Sequence, residues 1–262
     1  MKRTVRSAEV PAALRFAATV SYDGQDFAGS QRQPRVRTVQ GELETAAEVL
    51  FGVPTRVELA GRTDAGVHAL GQVAAFSAPT ALDPSTVERA LNAHLPADVA
   101  IRDVREAPLA FDPRRWARRR WYRYSLLTAV SRLPLQRRTA WRMGPRFDLG
   151  AMKEAAKALV GRRDFRACAG PLEDGRSAVR TIAEARFSQQ NCILAFDIEG
   201  DAFLPQMVRR IVGGLVRVGR GAISSKDFEG AVAAAEPASV GPPAPPHGLC
   251  LQRVWYDEGY AA

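Results

Sequence analysis

Lysine is scarce in this chain: of 37 basic side chains only Lys2, Lys153, Lys157 and Lys226 are lysines, and the rest are arginines. Histidine is scarcer still, with His68, His94 and His247, none three or four residues from another. Cys168, Cys192 and Cys250 are an odd number, far apart, without C-x-x-C spacing. A zinc site needs three or four grouped ligands, so no metal is expected. The cysteines fit reduced, packed thiols in a reducing compartment better than a disulfide frame. No apolar run approaches the roughly 18 residues a membrane span needs. Residues 1–12 are basic but lack a secretion signal's apolar stretch, and Glu9 argues against a transit peptide. These absences predict a cytoplasmic protein without membrane association.

What is present is arginine, and enough apolar residue to fill one large core or two linked ones: 262 residues, 46% hydrophobic, with a net charge of +9. Guanidinium suits bidentate phosphate contacts and stacking on bases, so the balance favours a nucleic-acid partner. An arginine- and alanine-rich compositional habit would give the same charge with no partner.

Periodicity divides the chain into two halves of similar order. Residues 14–22 read as a strand ended by Asp23-Gly24, and Thr38 as the cap of a helix with Val39, Leu43, Ala46, Ala47 and Leu50 on one face. Strands are predicted at 55–60 and 71–76, then a helix opened by Asp83-Pro84 and running to about His94, then a strand at 99–105. The second half predicts a strand at 121–127, a helix at 148–160, a hairpin of 179–187 with 193–199 turned at 189–191, helices at 203–218 and 226–235, and a strand at 249–256. Each half is β-α-β-β-α-β, the ferredoxin-like split unit. The predicted fold is therefore α+β: two such halves joined into one central antiparallel sheet, with a catalytic cleft between them. The N-terminal half is residues 1–106, a basic connector 107–120, and the C-terminal half 121–262.

The connector carries Arg114, Arg115, Arg118, Arg119 and Arg120, with Trp116 and Trp121 interleaved. Charge for phosphates and rings for unstacked bases is what a nucleic-acid groove uses; a solvated linker anchored by two tryptophans is the plainer reading. Residues 131–146 form a long arginine-rich connection. Residues 236–248 hold Pro237, Pro242, Pro243, Pro245 and Pro246, a stiff surface loop.

The sharpest local feature is Ala60-Gly61-Arg62-Thr63-Asp64-Ala65-Gly66-Val67-His68-Ala69. Two glycines bracket a loop with an arginine two residues before an aspartate, able to hold a carboxylate beside a cation. Taken alone, it also reads as an ordinary aspartate turn. The run from Gly61 to Ala69, followed by Gly71-Gln72-Val73, closely resembles the active-site signature of the tRNA pseudouridine synthase A family. Tyr22-Asp23-Gly24, Phe27, Gly29, Gln31-Arg32-Gln33, Thr38-Val39-Gln40 and Glu42-Leu43-Glu44 resemble that family's N-terminal block. Further blocks follow in order: Asn92, Leu95-Pro96 and Asp98; Arg120 with Tyr122-Arg123-Tyr124; Phe203, Met207-Val208-Arg209, Ile211-Val212-Gly213 and Val218-Gly219; Gly248-Leu249 and Leu251. The resemblance spans residues 14–256.

It implies an isomerase that detaches uracil from C1′ of its ribose, turns the base and rejoins it through C5, without cofactor or metal. The implied substrate is the tRNA anticodon stem-loop at positions 38 to 40, and the implied assembly a homodimer with one tRNA touching both subunits. Asp64 is the implied nucleophile, attacking either the ring or the sugar. An enclosed carboxylate needs a cation to stay ionised, and Arg209 is the implied partner. In a helix at about 100° per residue, Leu204, Val208, Ile211 and Leu215 form the buried stripe, Arg210 and Arg217 point away, and Arg209 sits at the edge. Tyr122 is implied to stack on the uracil or move a proton at C5, although Tyr124 shares its strand face. Leu249 is implied as an apolar wall that keeps out water, which would turn isomerisation into base loss. Arg62 is implied in stacking space or a phosphate contact as the base flips out; His68 is expected to be structural.

The chain departs from the family at Ser30, where tryptophan is usual, at Asp112 after Phe111, and at Pro246-His247 before Gly248. None falls in the implied catalytic set. A nucleoside hydrolase would use two carboxylates, and no second one stands out. A silent RNA-binding module would not need Asp64, Tyr122 and Arg209 together. A zinc deaminase is excluded by the missing H-x-E and P-C-x-x-C motifs, and Gly219-x-Gly221 follows a helix, the wrong context for a dinucleotide loop.

Overall fold

In the computed structural model, which describes residues 13–173 and 175–257, the N-terminal half runs β1 (Ala13–Tyr22), α1 (Val39–Phe51), β2 (Val57–Leu59), β3 (His68–Pro79), α2 (Pro84–His94) and β4 (Val99–Glu106). The reading of residues 1–12 lies outside the described residues. The C-terminal half runs β5 (Arg119–Leu127), β6 (Trp141–Arg142), α3 (Leu149–Lys157), β7 (Gly161–Asp164), β8 (Val179–Gln190), β9 (Ile193–Gly200), α4 (Met207–Gly219), α5 (Ser225–Ala234) and β10 (Leu249–Trp255).

One sheet results, in the order β4-β1-β3-β10-β5-β9-β8-β7, with β2 beside β3 and β6 beside β5. Within it, β4-β1-β3-β2 and β10-β5-β9-β8 repeat one ferredoxin-like order, so the α+β reading holds. The halves meet through two residue pairs, Cys250 with His68 and Leu251 with Ala69, in parallel register. Beyond them the same edge of β3 is taken by β2, which pairs with residues 74–76.

At this seam Gly71 lies so close to β10 that an added Cβ would stand 2.2 Å from the Gln252 carbonyl oxygen. Gly71→Ala is expected to lower the unfolding free energy by about 1–3 kcal/mol, as overpacking does. Denaturant titration checks this; an unchanged midpoint would show that the seam yields freely.

Helix starts follow the sequence chemistry. Thr38 accepts from Gly41 N–H at 3.2 Å, Asp83 from Thr86 at 3.0 Å and Asp148 from Ala151 at 2.9 Å. Each satisfies an N–H that the first helical turn leaves unpaired. Apolar faces of α1 and α2 cover Phe16, Val20 and Phe76, while α3, α4 and α5 pack with Phe165, Ile182 and Phe196 into the same buried cluster. Cys168 and Cys250 are free, their thiols pushed up to about 12 by burial.

Two sequence readings need correction. The late helix begins at Met207, not 203: Pro205 disfavours helical backbone at Leu204, and Gln206 is left-handed at φ 58°. Leu204 is buried, but outside the helix. Arg210 and Arg217 point away from the buried stripe, as expected, and donate to the Gly241 and Val240 carbonyls at 3.0 and 3.4 Å. The proline-dense loop lies on α4, so close that a Cβ on Gly213 would meet Pro242 O at 2.1 Å. That contact, long-range in sequence, buries a second face of the helix.

Candidate active site

The loop between β2 and β3 is held at nearly every residue before the aspartate. Gln72, fully buried, grips Gly61 from both sides, its Oε1 accepting from Gly61 N at 3.2 Å and its Nε2 donating to Gly61 O at 2.8 Å. Thr63 donates its N–H to Ser30 Oγ at 2.8 Å and accepts Ser30 N–H at 3.1 Å. Its hydroxyl lies 2.9 Å from Tyr22 Oη. After the aspartate the chain turns, Val67 N–H donating to Asp64 O at 3.1 Å and Gly66 adopting φ 80°. His68 is structural, with Nδ1 accepting from Gly24 N–H at 3.1 Å and Nε2 meeting Arg138 O at 2.8 Å.

Ser30 is therefore a support that sequence reasoning missed. In the sequence it marks only the place of a missing aromatic, yet the buried hydroxyl fixes the backbone one residue from Asp64. Ser30→Ala is expected to lower stability by about 1 kcal/mol, the usual worth of one such bond, and to reduce kcat about tenfold with KM little changed. An unaltered kcat in steady-state assays would show that Gln72 and Tyr22 suffice.

From the other half, Arg209 in the first turn of α4 reaches Asp64, its Nη1 lying 2.8 Å from Oδ2 across 145 residues of sequence. The Arg209 Nε donates to Ala244 O at 2.8 Å, so the proline-dense loop aims the guanidinium. The pair is less enclosed than the sequence suggested: side-chain exposure is 14% for Arg209 and 35% for Asp64. The carboxylate opens onto a pocket of about 550 Å³, whose walls also include Arg62, Tyr122 and Leu249. All five implied residues are thus brought together.

The strand face shared by two tyrosines is divided by partners. Tyr124 is fully buried and donates its hydroxyl to Pro245 O at 2.7 Å. Tyr122 has no such tie among the described residues; its ring stands edge-on to Phe203 at 5.1 Å, and it lines the pocket. Burial pushes the Tyr122 phenol up to about 12, with Arg120 pulling down and Asp64 adding to the rise. Leu249, 5% exposed, opens β10 opposite Tyr124 and lines the same pocket as Tyr122.

The connector's arginines divide as well. Arg120 is 8% exposed and donates to the carbonyls of Asp201 at 2.6 Å, Ala60 at 3.0 Å and Arg114 at 3.0 Å. It ties the Asp64 loop to the segment leading into α4, a structural task rather than a solvated one. Trp121 gives its indole N–H to buried Asp197 at 2.7 Å, and Trp116 stands edge-on to Phe111. Arg114 alone of the run joins Arg120 in the pocket wall, where Arg176 and Arg180 also lie. The uncapped first turn of α4 adds its unpaired N–H groups to the positive potential there.

What this fold and pocket define is a cleft suited to a polyanion, with six arginines in its wall and one carboxylate paired to a guanidinium. Comparison with known proteins narrows the class. A family model described as tRNA pseudouridine synthase matches residues 18–114 and 155–257. A tRNA pseudouridine synthase A from Myxococcus xanthus is 41% identical over 246 residues, 94% of this chain and 93% of its own. One from Chloroflexus aurantiacus is 44% identical over 248 residues, 93% of this chain and 89% of its own. One from Geobacillus is 41% identical over 244 residues, 93% and 98%. This chain belongs to the tRNA pseudouridine synthase family, and it is an isomerase.

Proposed function

We propose that the chain isomerises uridine to pseudouridine in the tRNA anticodon stem-loop, at positions 38 to 40, with Asp64 as nucleophile. The observation that carries this is the contact between Asp64 and Arg209, a carboxylate and a guanidinium supplied by different halves to one pocket. In the reaction the C1′–N1 bond breaks, a C1′–C5 bond forms, the C5 proton leaves and N1 takes one up. Nothing is oxidised or consumed, so side chains suffice. Arg209 stabilises the carboxylate; Tyr122 meets the base as a neutral phenol; Leu249 and Phe203 give the apolar walls; Arg62 fills the space the base vacates or holds a phosphate. A base entering this open pocket displaces water from Asp64, which protects C1′ from hydrolysis.

Residues 1–106 supply the nucleophile, 107–120 the connector, and 121–262 the rest of the cleft. The chain works in the cytoplasm as a homodimer, with one tRNA touching both copies. No helix among the described residues is long and apolar enough to cross a membrane.

The deciding experiment incubates purified protein with unmodified tRNA transcripts and maps pseudouridine by chemical primer stops. Stops at positions 38 to 40, absent with Asp64→Ala, are expected. Free uracil instead would make the chain a hydrolase, and equal behaviour of the two proteins would make it a binding module. Binding should weaken steeply with salt, since phosphate contacts release counterions; a flat dependence would count against a basic cleft.

A further inference from the structure

Six arginines line the pocket, Arg62, Arg114, Arg120, Arg176, Arg180 and Arg209, against two carboxylates, Asp64 and Asp201. Two of the six are already committed, Arg209 to Asp64 and Ala244 O, and Arg120 to three carbonyls. The Asp201 carboxylate is committed too, its Oδ1 accepting from the N–H groups of Thr181 at 3.1 Å and Ala202 at 2.6 Å. The rest of the positive charge is unmatched. Neither Arg114 nor Arg176 has a side-chain hydrogen bond or ion pair among the described residues. Arg180 spends Nη1 on the carbonyls of Ser177 at 2.9 Å and Val179 at 2.6 Å, which fix the guanidinium, and its Nε is buried without a partner.

Like charges gathered around one cavity repel, and desolvation sharpens the cost. Both effects register here. Arg114 is held below the usual guanidinium range by desolvation and by Arg62, Arg176 and Arg120; Arg180 is lowered by desolvation, with Arg176 adding to the drop. An anion relieves this arrangement, and planar forks of this kind match a phosphate's oxygens. In an RNA whose base is turned into the pocket, the groups that arrive with it are its own ribose and the adjoining phosphates.

We propose that Arg114, Arg176 and Arg180 form a phosphodiester subsite in the Asp64 pocket, which takes one backbone phosphate adjoining the target uridine. The subsite rests on the uridine-isomerising reading above. It is built from two segments outside the catalytic loop, the connector and the run from Arg176 into β8. Holding that phosphate fixes the backbone at the target nucleotide, so the base enters while the neighbouring nucleotides stay outside.

The test uses full-length tRNA assembled by splint ligation, with a single uncharged methylphosphonate at either linkage flanking the target uridine. Pseudouridine formation is followed with wild-type protein, Arg176→Gln, Arg114→Gln and Arg180→Gln; binding is followed by fluorescence anisotropy. Arg114 and Arg176 anchor nothing by their side chains, so those variants report on the subsite even if Arg180→Gln folds poorly. With wild type, one of the two linkages should lower kcat/KM about tenfold when neutralised, the scale of one lost charged contact. Arg176→Gln should show a similar loss on natural tRNA, a salt slope reduced by roughly one, and no more than about a twofold further loss from the same methylphosphonate. Losses that multiply, no sensitive linkage, or glutamine variants matching wild type would overturn the subsite. Wild type forming no pseudouridine on natural tRNA would overturn the reaction reading instead, and anisotropy on the same RNAs would still decide the subsite by the same non-additivity.

Discussion

Asp64→Asn is expected to suppress pseudouridine formation by about four orders of magnitude or more, the scale seen when an enzyme loses a covalent nucleophile, while tRNA binding persists or tightens. The substitution keeps the shape of the side chain and removes its charge. It also leaves Arg209 in place, because the Arg209 Nε remains tied to Ala244 O at 2.8 Å. The pocket then holds six guanidiniums against one carboxylate instead of two, which favours a phosphate backbone. Loss of activity and retention of affinity are thus one electrostatic prediction. Single-turnover pseudouridine mapping and anisotropy on the same tRNA measure both. A variant that lost affinity in step with activity would make Asp64 a docking residue, and one that kept its rate would remove it from the chemistry.

The second large effect is on stability at high pH. Tyr22, Tyr122, Tyr124 and Tyr256 are all buried, and burial is the first cause holding each phenol above its ordinary value of 10.0; Tyr122 reaches about 12 and the other three lie higher. In the unfolded chain these phenols ionise near their ordinary value, while in the folded chain they stay neutral. Above pH 10 the unfolded state therefore holds fewer protons than the native state, and stability falls as pH rises. Below pH 10 the contribution is complete. Each group costs about 1.4 kcal/mol per pH unit, so four together approach roughly 5 kcal/mol per unit, comparable with a typical domain's whole stability. Cooperative loss of circular dichroism is expected between about pH 10 and 12, with tyrosinate absorbance rising in the same transition. Absorbance that rose fully near pH 10 over a native dichroism spectrum would show that these hydroxyls are open to solvent.

Much of this was readable from local chemistry. Thr38, Asp83 and Asp148 mark helix starts because each cap satisfies an N–H three residues on, a relation contained in a short window of sequence. The Asp64 loop, by itself readable as an ordinary aspartate turn, was legible because the whole run from Gly61 to Ala69 resembles a family signature. What escaped depends on distant partners. β7, Gly161–Asp164, is short, polar and stabilised as a strand by pairing with β8, so no period announces it. Arg120 and Arg114 look alike in the run of basic residues, yet one is fixed by three carbonyls and the other lines the pocket with no side-chain partner among the described residues. Ser30 likewise reveals its value only once Thr63 is known to lie against it.

The position of β10 sets an order on assembly. Among the described residues it is the last strand in the chain, yet it sits in the middle of the sheet between β3 and β5. Until the ribosome has delivered it, the stretches of β3 and β5 that it covers stay unpaired, and the Asp64 pocket lacks its wall from Leu249. A polypeptide ended before β10 is therefore expected to expose unpaired strand and to lack a closed pocket, so that competence arrives in one late step.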